Sequence, residues 1–460
     1  MSQNILSKIL TNFGYFNNEK EYNTMHVLLI GAGGREHAIG WKLNQSTQKI
    51  KLFFAPGNAG TLQLGTNLNL STTDFEGIIN ACTTHQIDMV VVGPEEPLVK
   101  GIVDALLENE ATKHINIVGP NKQAAQLEGS KSFAKKFMQR HNIPTAAYQE
   151  FDKNSLQNGI DYIKKQHLPI VLKADGLAGG KGVIICDSYV QAIAEFEMML
   201  VYSKFGEAGN KVVVEEFLHG LEFSVFALTD GKSYKILPIA KDYKRVGEGD
   251  VGLNTGGMGA VSPVPFVSTV MYDKVLTKIV EPTINGLVAD GINYKGFVFF
   301  GLISVNNEPY IIEYNCRLGD PETEAILPRL TTDLLYLFNQ LPLGTLHQAN
   351  IEINATCSAT IVATSGGYPN YYNIGYVVNG LTQSEAPVNA HIFVSGAKLN
   401  EQDNIITDGG RVIAVTGMGS TITDAVANSK KALATIRFEE MYYRNDIGYE
   451  FDNSTEIINN

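Results

Sequence analysis

The chain has 460 residues, of which 44% are hydrophobic and 18% are charged, and its formal net charge is −12. A chain of this length is expected to form about three domains, and the acidic balance argues against nucleic acid or an anionic membrane as the main partner. No apolar run reaches the roughly 18 residues that span a bilayer. The longest, residues 297–305, is typical of a buried strand.

The N-terminal residues and the cysteines bear on where the protein works. The four cysteines are scattered, without the paired spacing of a disulfide framework or a zinc site, which favours a reducing cytoplasm. Residues 1–24 are polar and rich in asparagine. They lack the apolar segment of a signal peptide and the arginines of a transit peptide, so we expect them to form a disordered extension.

Four short apolar runs follow, and each ends in a turn that contains glycine or proline. They are residues 26–30, 51–54, 88–92 and 115–118, and a helical pattern follows the first of them. Strands that alternate with helix-length segments predict a parallel, Rossmann-like sheet. Ligands bind such sheets at the carboxyl ends of the strands, where these turns lie.

The first of these turns, GAGG at residues 31–34, contains two glycines of a dinucleotide-binding fingerprint. The third glycine is missing because Glu36 occupies its position, so a nicotinamide-dependent dehydrogenase is disfavoured. The turn would still present backbone N–H groups to a phosphate at the start of a helix. The alternative is a tight strand-to-helix turn that binds no ligand.

The middle of the chain contains a stronger glycine-rich signal. Ser130 is placed to cap a helix that runs to about residue 141, and residues 168–315 are expected to form strands and glycine loops of an antiparallel unit. Within it, residues 173–181 (KADGLAGGK) differ from a Walker A loop because Asp175 and Gly182 replace required residues. We expect a strand–loop–strand lid that closes over phosphates, with positive charge from Lys173 and Lys181.

Glu313 and Asn315 lie two residues apart on a predicted strand, so their side chains point to the same face. Two oxygen ligands suit Mg²⁺, which usually binds through few protein groups and the phosphates of a substrate. Arg317 comes next on that face and suits a clamp for phosphate or carboxylate.

Two further segments complete the pattern. Asp242, Lys244 and Arg245 are candidates to stabilise a transferring phosphoryl group, although a solvent-exposed charge cluster is the alternative. They precede residues 254–259 (NTGGMG), whose three glycines would let backbone approach a small ligand closely. Beyond residue 350, strands are expected over 359–363 and 411–415, and a capping box at residues 421–424 predicts a helix start.

Six motifs occur in a characteristic order between residues 25 and 438. They are 31–37 (GAGGREH), 56–61 (PGNAGT), 93–98 (GPEEPL), 173–181 (KADGLAGGK), 254–259 (NTGGMG) and 315–322 (NCRLGDPE). Together they resemble the phosphoribosylamine–glycine ligase family of the ATP-grasp superfamily, and the last two are the most specific. The resemblance implies an α/β protein with a Rossmann-like N-terminal domain (25–127), an ATP-grasp domain with its lid (128–350) and a small α/β C-terminal domain (351–460).

The resemblance also implies roles for individual residues. The residues expected to bind ATP are Lys131, Lys173, Gly176, Gly179, Gly180, Lys181, Glu215, Glu216, Phe217, Leu218 and Glu222. Those expected at the other substrates are Gly33, Gly34, Arg35, Glu36, His37, Asn58, Gly60, Pro94, Glu95, Asn254, Thr255, Gly256, Gly257, Met258 and Asp320. Arg317, Lys244, Arg245 and Asp242 would be catalytic, and Glu313 and Asn315 would bind the metal. Many ATP-grasp enzymes carry one more acidic metal ligand, at a place that falls near Gly301 here.

The implied reaction belongs to purine biosynthesis. ATP would phosphorylate the carboxylate of glycine, and the amine of 5-phosphoribosylamine would then attack the acyl phosphate. We therefore expect small-molecule partners, Mg²⁺ or Mn²⁺, and a cytoplasmic monomer. One alternative is a carboxyaminoimidazole or formate-dependent ATP-grasp ligase, which would lack the 254–259 motif. Another is a regulatory nucleotide-binding module, but the complete lid, the metal pair and Arg317 argue against it.

Overall fold

A computed structural model describes residues 24–179, 181–381 and 389–451. The predictions for the N-terminal extension (apart from residue 24) and for Gly180 fall outside these ranges. Among the described residues, no helix is both long and apolar enough to cross a bilayer.

The N-terminal part forms the expected parallel sheet. Its strands are β1 (Met25–Gly31), β2 (Ile50–Pro56), β3 (Gly65–Asn67), β4 (Met89–Val92) and β5 (Asn116–Val118), in the order β3-β2-β1-β4-β5. Its helices are α1 (Gly34–Leu43), α2 (Phe75–Thr84), α3 (Glu95–Lys100) and α4 (Ile102–Glu108). Leu28 and Ile30 enter one hydrophobic core and Val27 and Leu29 another, as expected for a parallel sheet that is covered on both faces.

The two strands that flank the predicted lid loop belong to a separate antiparallel sheet with a hydrophobic core of its own, here called the lid sheet. Helices α5 (Gln126–Gly129) and α6 (Lys131–Arg140) precede it, and Ser130 caps α6 as predicted by accepting a hydrogen bond from Phe133 N. The strands are β6 (Tyr148–Asp152), β7 (Ile170–Ala174), β8 (Val183–Cys186) and β9 (Lys211–Glu216), in the order β6-β9-β7-β8. Helices α7 (Leu156–Ile163) and α8 (Tyr189–Leu200) pack against this sheet.

A second antiparallel sheet carries the predicted metal pair. The strands of this region are β10 (Leu221–Thr229), β11 (Tyr234–Ile236), β12 (Lys241–Asp242), β13 (Arg245–Gly247), β14 (Val251–Asn254), β15 (Gly259–Ser262), β16 (Gly296–Val305) and β17 (Glu308–Asn315). The sheet has the order β11-β10-β16-β17. Helices α9 (Thr269–Val275) and α10 (Glu281–Ala289), joined by a π-helical turn, cover it. The sequence prediction for 168–315 missed α8, α9 and α10, because the strand and glycine pattern dominated the interpretation.

The C-terminal part completes a third sheet. Its elements are α11 (Glu322–Ile326), α12 (Leu334–Leu343), β18 (Cys357–Thr364), β19 (Ala390–Val394), β20 (Ala397–Leu399), β21 (Ile405–Thr407), β22 (Arg411–Gly419) and α13 (Ile422–Leu433). The order β12-β15-β18-β22-β19 joins strands from both sides of the predicted boundary at 350/351. Thr421 and Asp424 form the predicted capping box. Since β12 and β15 flank the 254–259 loop, the C-terminal sheet fixes the position of that loop.

Candidate functional site

A cavity of about 1070 Å³ lies where the lid sheet, the sheet that contains β17 and the C-terminal sheet meet the carboxyl edge of the parallel sheet. Of the predicted site residues, those that line it are Gly33, Arg35, Glu36, Pro94, Glu95, Lys131, Lys173, Gly179, Glu215, Glu216, Phe217, Leu218, Glu222, Asp242, Lys244, Arg245, Asn254, Thr255, Gly256, Glu313, Asn315, Arg317 and Asp320. Residues that are far apart in the chain therefore surround one space, at the edge of the parallel sheet where the sequence placed a ligand.

Glu215 joins two buried lysines on the wall formed by the lid sheet. Its Oε2 lies 2.9 Å from Lys173 Nζ and its Oε1 lies 3.3 Å from Lys135 Nζ. Lys173 Nζ also donates to the carbonyl of Ile312 at 3.1 Å, which ties the lid sheet to β17. Burial lowers the pKa of Lys135 to about 8, although Glu215 opposes that shift. Sequence reasoning missed Lys135, because it reads as an ordinary polar position of α6.

Lys131 connects the start of α6 to the lid. Its Nζ donates to the carbonyl of Gly176 at 3.2 Å, and its backbone N–H donates to the carbonyl of Asp175. Burial lowers the pKa of Lys131, and the Glu313 carboxylate opposes the shift. Of the other lid residues, Gly176 and Lys181 do not line the cavity. Gly176 instead packs against Ala208, since an added Cβ would lie 2.9 Å from Ala208 Cα.

Glu313 and Asn315 both line the cavity from β17, as the alternation of the strand predicted. Burial opposes the ionised form of Glu313, but Lys244, Lys173 and Lys131 outweigh it and hold the pKa of Glu313 below its ordinary value. Gly301 pairs directly with Glu313 across β16 and β17, and an added Cβ would lie 3.1 Å from Glu313 Cγ. A larger side chain at Gly301, near the place where a further acidic ligand was considered, would therefore require the Glu313 side chain to shift.

The predicted charge cluster beside Glu313 contains ion pairs, and the side chains of Lys244 and Glu222 stay partly exposed. Lys244 Nζ lies 3.2 Å from Glu222 Oε2 and 4.0 Å from Asp242 Oδ2. Burial by itself would lower the pKa of Lys244, but Asp242, Glu222 and Glu313 raise it well above its ordinary value. Burial raises the pKa of Asp242 despite Lys244. Arg245 donates from Nη1 to the carbonyl of Gly252 at 2.8 Å.

Arg317 is held between two carboxylates. Its Nη2 lies 2.8 Å from Glu128 Oε1, and its Nε lies 3.3 Å from Glu95 Oε2. Glu128 also accepts hydrogen bonds from the backbone N–H and the thiol of Cys316. Burial raises the pKa of Glu128, while Arg317 opposes that shift. Sequence reasoning missed Glu128, which lies at the end of α5 and 189 residues before its partner.

The first glycine loop is organised around Glu36. Its Oε2 accepts a hydrogen bond from Gly33 N at 2.6 Å, and its Oε1 pairs with Arg35 Nε at 2.6 Å. Gly31 has φ +130°, and a Cβ there would lie 2.5 Å from the Glu36 side chain. Arg35 also donates from Nη1 to the carbonyl of Leu318 at 3.1 Å. Glu36 therefore shapes the loop by its protein contacts.

Four predicted substrate residues near this loop do not line the cavity, namely Gly34, His37, Asn58 and Gly60. Asn58 Nδ2 donates to the carbonyls of Ala32 and Val394 at 2.8 Å. His37 Nδ1 accepts from Val394 N at 2.8 Å. Because β19 carries Val394, these residues join the N-terminal parallel sheet to the C-terminal sheet, a packing role that the motif alone did not indicate.

The glycines of the 254–259 loop were expected to let the backbone approach a small ligand, but in the structure they lie against other protein atoms. Met258 is fully buried, and neither it nor Gly257 lines the cavity. Gly257 has φ +122°, and a Cβ there would lie 2.4 Å from Pro321 Cδ. The equivalent atom on Gly256 would lie 2.9 Å from Arg411 Cζ. These glycines are required by neighbouring protein atoms, so they are not in themselves evidence for a small ligand.

The chain matches three family models in succession. They are the N domain (residues 25–128), the ATP-grasp (A) domain (129–323) and the C domain (358–450) of phosphoribosylglycinamide synthetase. The chain belongs to the phosphoribosylglycinamide synthetase family. It is an ATP-dependent ligase of purine biosynthesis, which confirms the resemblance, the fold class and the main functional prediction.

Individual relatives agree with this family. The chain is 42% identical to the phosphoribosylamine–glycine ligase of Yersinia pestis over 92% of this chain and 98% of that protein. The crystal structure of the Thermotoga maritima phosphoribosylamine–glycine ligase superposes with a TM-score of 0.78 at 33% identity, covering 92% of this chain and all of the other. A carboxyaminoimidazole ribonucleotide synthase from Aspergillus clavatus, complexed with ATP, matches with a TM-score of 0.60 at 15% identity over 90% of this chain and 98% of the other. That match shows the fold alone.

The hydrogen bond that His37 Nδ1 accepts from Val394 N predicts that the stability of the protein depends on pH. Burial lowers the pKa of His37 from 6.5 to about 4, so between these values the unfolded chain binds a proton that the folded chain does not. Stability at this position is therefore present above pH 6.5 and is lost as the pH falls towards 4. We expect His37→Gln to flatten the acid side of a plot of melting temperature against pH, with the exposed His114→Gln as control. Identical slopes for wild type and His37→Gln would contradict the assignment.

The ion pair between Arg317 and Glu128 leads to a second prediction, which concerns turnover. Glu128→Gln removes a charged partner from Arg317, an interaction of about 1.5–3 kcal/mol for hydrogen bonds to charged groups, so we expect turnover to fall roughly tenfold or more. The measurement is steady-state phosphate release. Glu110→Gln, which breaks an exposed ion pair with Lys113, is the control and should leave turnover unchanged. A Glu128→Gln enzyme as active as this control would show that Arg317 does not depend on Glu128.

Proposed function

We propose how this cavity carries out the reaction of its family, the ATP-dependent ligation of glycine to 5-phosphoribosylamine, which gives glycinamide ribonucleotide, ADP and phosphate. The observation that carries the proposal is the convergence of the predicted nucleotide, metal and acceptor residues on one cavity. We also propose a division into units 25–127, 128–350 and 351–460, and a cytoplasmic monomer as the working form.

ATP would occupy the side of the cavity next to the lid sheet. The backbone of Glu215 to Leu218, at the end of β9 and just beyond it, would receive adenine, and Glu222 would accept hydrogen bonds from the ribose. Lys131 and Lys173 line the same cavity, and their cationic groups would neutralise phosphate oxygens. The lid loop that includes Gly179 would exclude water from these phosphates.

Glu313 and Asn315 fit a divalent cation, Mg²⁺ or Mn²⁺. Among the described residues, neither side chain has a hydrogen-bond or ion-pair partner, and both face the cavity. In the described ranges, no three or more acidic, histidine or cysteine side chains are grouped so that they could hold a metal ion by themselves. Two protein oxygens beside lysines for phosphates suit a cation that completes its shell with phosphate and water. Such a cation, when bound, would neutralise charge on the phosphate oxygens.

The chemistry would proceed in two displacements. A carboxylate oxygen of glycine attacks the terminal phosphorus of ATP and ADP leaves, which forms glycyl phosphate. The amine of phosphoribosylamine then attacks the acyl carbon, and phosphate leaves as the new C–N bond forms and the amine loses a proton. Lys244, Arg245 and Arg317 would stabilise the negative charge on the phosphoryl group, and Asp242 would hold Lys244 in place. In this scheme no protein side chain forms a covalent intermediate.

The acceptor substrates would occupy the opposite side of the cavity. Phosphoribosylamine would lie against Gly33, Arg35 and the turn of Pro94 and Glu95, and glycine would lie near Asn254 to Gly256 and Asp320. All of these residues line the cavity. Holding the amine and the acyl phosphate close together in a site closed to water supplies most of what the second step needs.

Glu313 gives a direct test of the metal proposal. Glu313→Gln removes one charge from the cation site, so we expect turnover to fall by about two orders of magnitude or more, with a higher Mg²⁺ requirement and an unchanged circular dichroism spectrum. Glu308→Gln on the same strand, whose carboxylate pairs with Lys274 and Lys278, is the matched control. If Glu313→Gln keeps half of the wild-type turnover, the cation is held by other groups.

Substrate choice gives a second test. We expect phosphate release to require glycine together with freshly prepared phosphoribosylamine, and alanine to react at least tenfold more slowly, since rigid packing resists an added methyl group. Bicarbonate and formate should be inert. Turnover with bicarbonate and an aminoimidazole nucleotide that equals turnover with glycine would contradict the proposed reaction.

A further inference from the structure

Arg411, at the start of β22, reaches the acceptor side of the cavity from the C-terminal sheet. Its Nη1 donates to the carbonyl of Gly256 at 2.7 Å and to that of Asp320 at 2.6 Å. Its Nη2 lies 3.1 Å from Asp320 Oδ1. One planar guanidinium therefore joins two loops of the cavity wall, and its contacts use the fixed fork geometry that lysine lacks.

The loop is fitted closely to this side chain. An added Cβ at Gly256 would lie 2.9 Å from Arg411 Cζ, so the approach needs glycine. On the other side of the same residue, Gly256 N donates to the Tyr368 hydroxyl at 3.0 Å. The C-terminal part thus holds both the N–H and the carbonyl of Gly256, and Tyr368 and Arg411 both line the cavity.

Asp320 is held from two directions. Arg411 lies on its Oδ1, and the backbone N–H of Arg35 is 3.4 Å from its Oδ2. A Cβ on Gly33 would lie 3.1 Å from the same Oδ2. The carboxylate consequently lies between the first glycine loop and the 254–259 loop, and Arg411 is the charged side chain that sets its orientation.

We propose that Arg411 is a positioning residue for the amino-acid substrate, acting by orienting Asp320 and the Gly256 peptide. The proposal rests on the function proposed above, which places glycine beside these two residues. It makes the C-terminal sheet a functional part of the active site, because the guanidinium connects that sheet to residues that would contact the substrate.

The test compares Arg411→Met and Arg411→Lys with Arg329→Met. Arg329 is a buried arginine that, like the partly buried Arg411, donates to backbone carbonyls, but it does not line the cavity. For Arg411→Met we expect the KM for glycine to rise at least tenfold while the KM for ATP stays within twofold. The KM for glycine of Arg411→Lys should lie between that of Arg411→Met and that of the wild type. Arg329→Met should lower the melting temperature without a selective change in the KM for glycine.

A second measurement needs no turnover. Hydrogen exchange of the peptide that contains residues 254–258, in the protein without substrates, should become faster in both Arg411 variants and stay unchanged in Arg329→Met. Faster exchange together with the selective rise in the KM for glycine supports the proposal. Unchanged exchange, or an unchanged KM for glycine in Arg411→Lys or Arg411→Met, overturns it. A wild-type protein that releases no phosphate with glycine and phosphoribosylamine would instead contradict the proposed function, and the exchange measurement would still decide whether Arg411 orders the loop.

Discussion

The cavity concentrates cationic side chains in a small buried volume, and the rest of the site depends on how those charges are neutralised. Burying a charged group without a partner costs several kcal/mol, so each cation needs a nearby carboxylate. Glu215 forms ion pairs with Lys173 and Lys135, whereas Arg317 forms ion pairs with Glu128 and Glu95. Lysine and arginine side chains that could bind the phosphates of ATP and of a phosphorylated substrate therefore line the cavity together with their carboxylate partners, on a protein whose net charge is −12.

The same requirement explains why residues from several sheets contribute to the site. The partners of a given cation come from different parts of the chain, as when Glu128 at the end of α5 binds Arg317 after β17. Each such pair fixes two backbone segments relative to each other. Removal of one partner would leave the other charge buried and uncompensated, which destabilises the folded protein. The ion pairs therefore hold the parts of the site in position as well as neutralising charge, which suits a reaction that depends on positioning.

The C-terminal sheet contributes in a way that its place in the sequence does not suggest. It includes β12 and β15, two strands from the middle of the chain, it carries Arg411 to the acceptor side of the cavity, and its Val394 binds His37 next to the first glycine loop. A sheet transmits such positions well because each strand is fixed by its neighbours through regular hydrogen bonds. The loops that would hold glycine and phosphoribosylamine are thus attached to a common rigid support.

The sequence by itself determined the features that depend on short-range patterns. The parallel sheet, the cap at Ser130, the two strands around the glycine-rich loop and the shared face of Glu313 and Asn315 all follow from turn residues or from alternation over a few positions. The family followed from the order of the motifs. Such patterns are readable because the physical causes, side-chain direction and allowed backbone angles, act within a few residues.

Only the tertiary structure decided which polar residues of those motifs face the cavity. His37 belongs to the same motif as Arg35, and Asn58 belongs to the next motif, yet both bind Val394, more than 300 residues away. Lys135 and Glu128 carried no local signal at all. The physical reason is that the role of a polar side chain depends on its partner, and here the partners are brought together by long-range packing that no local pattern encodes.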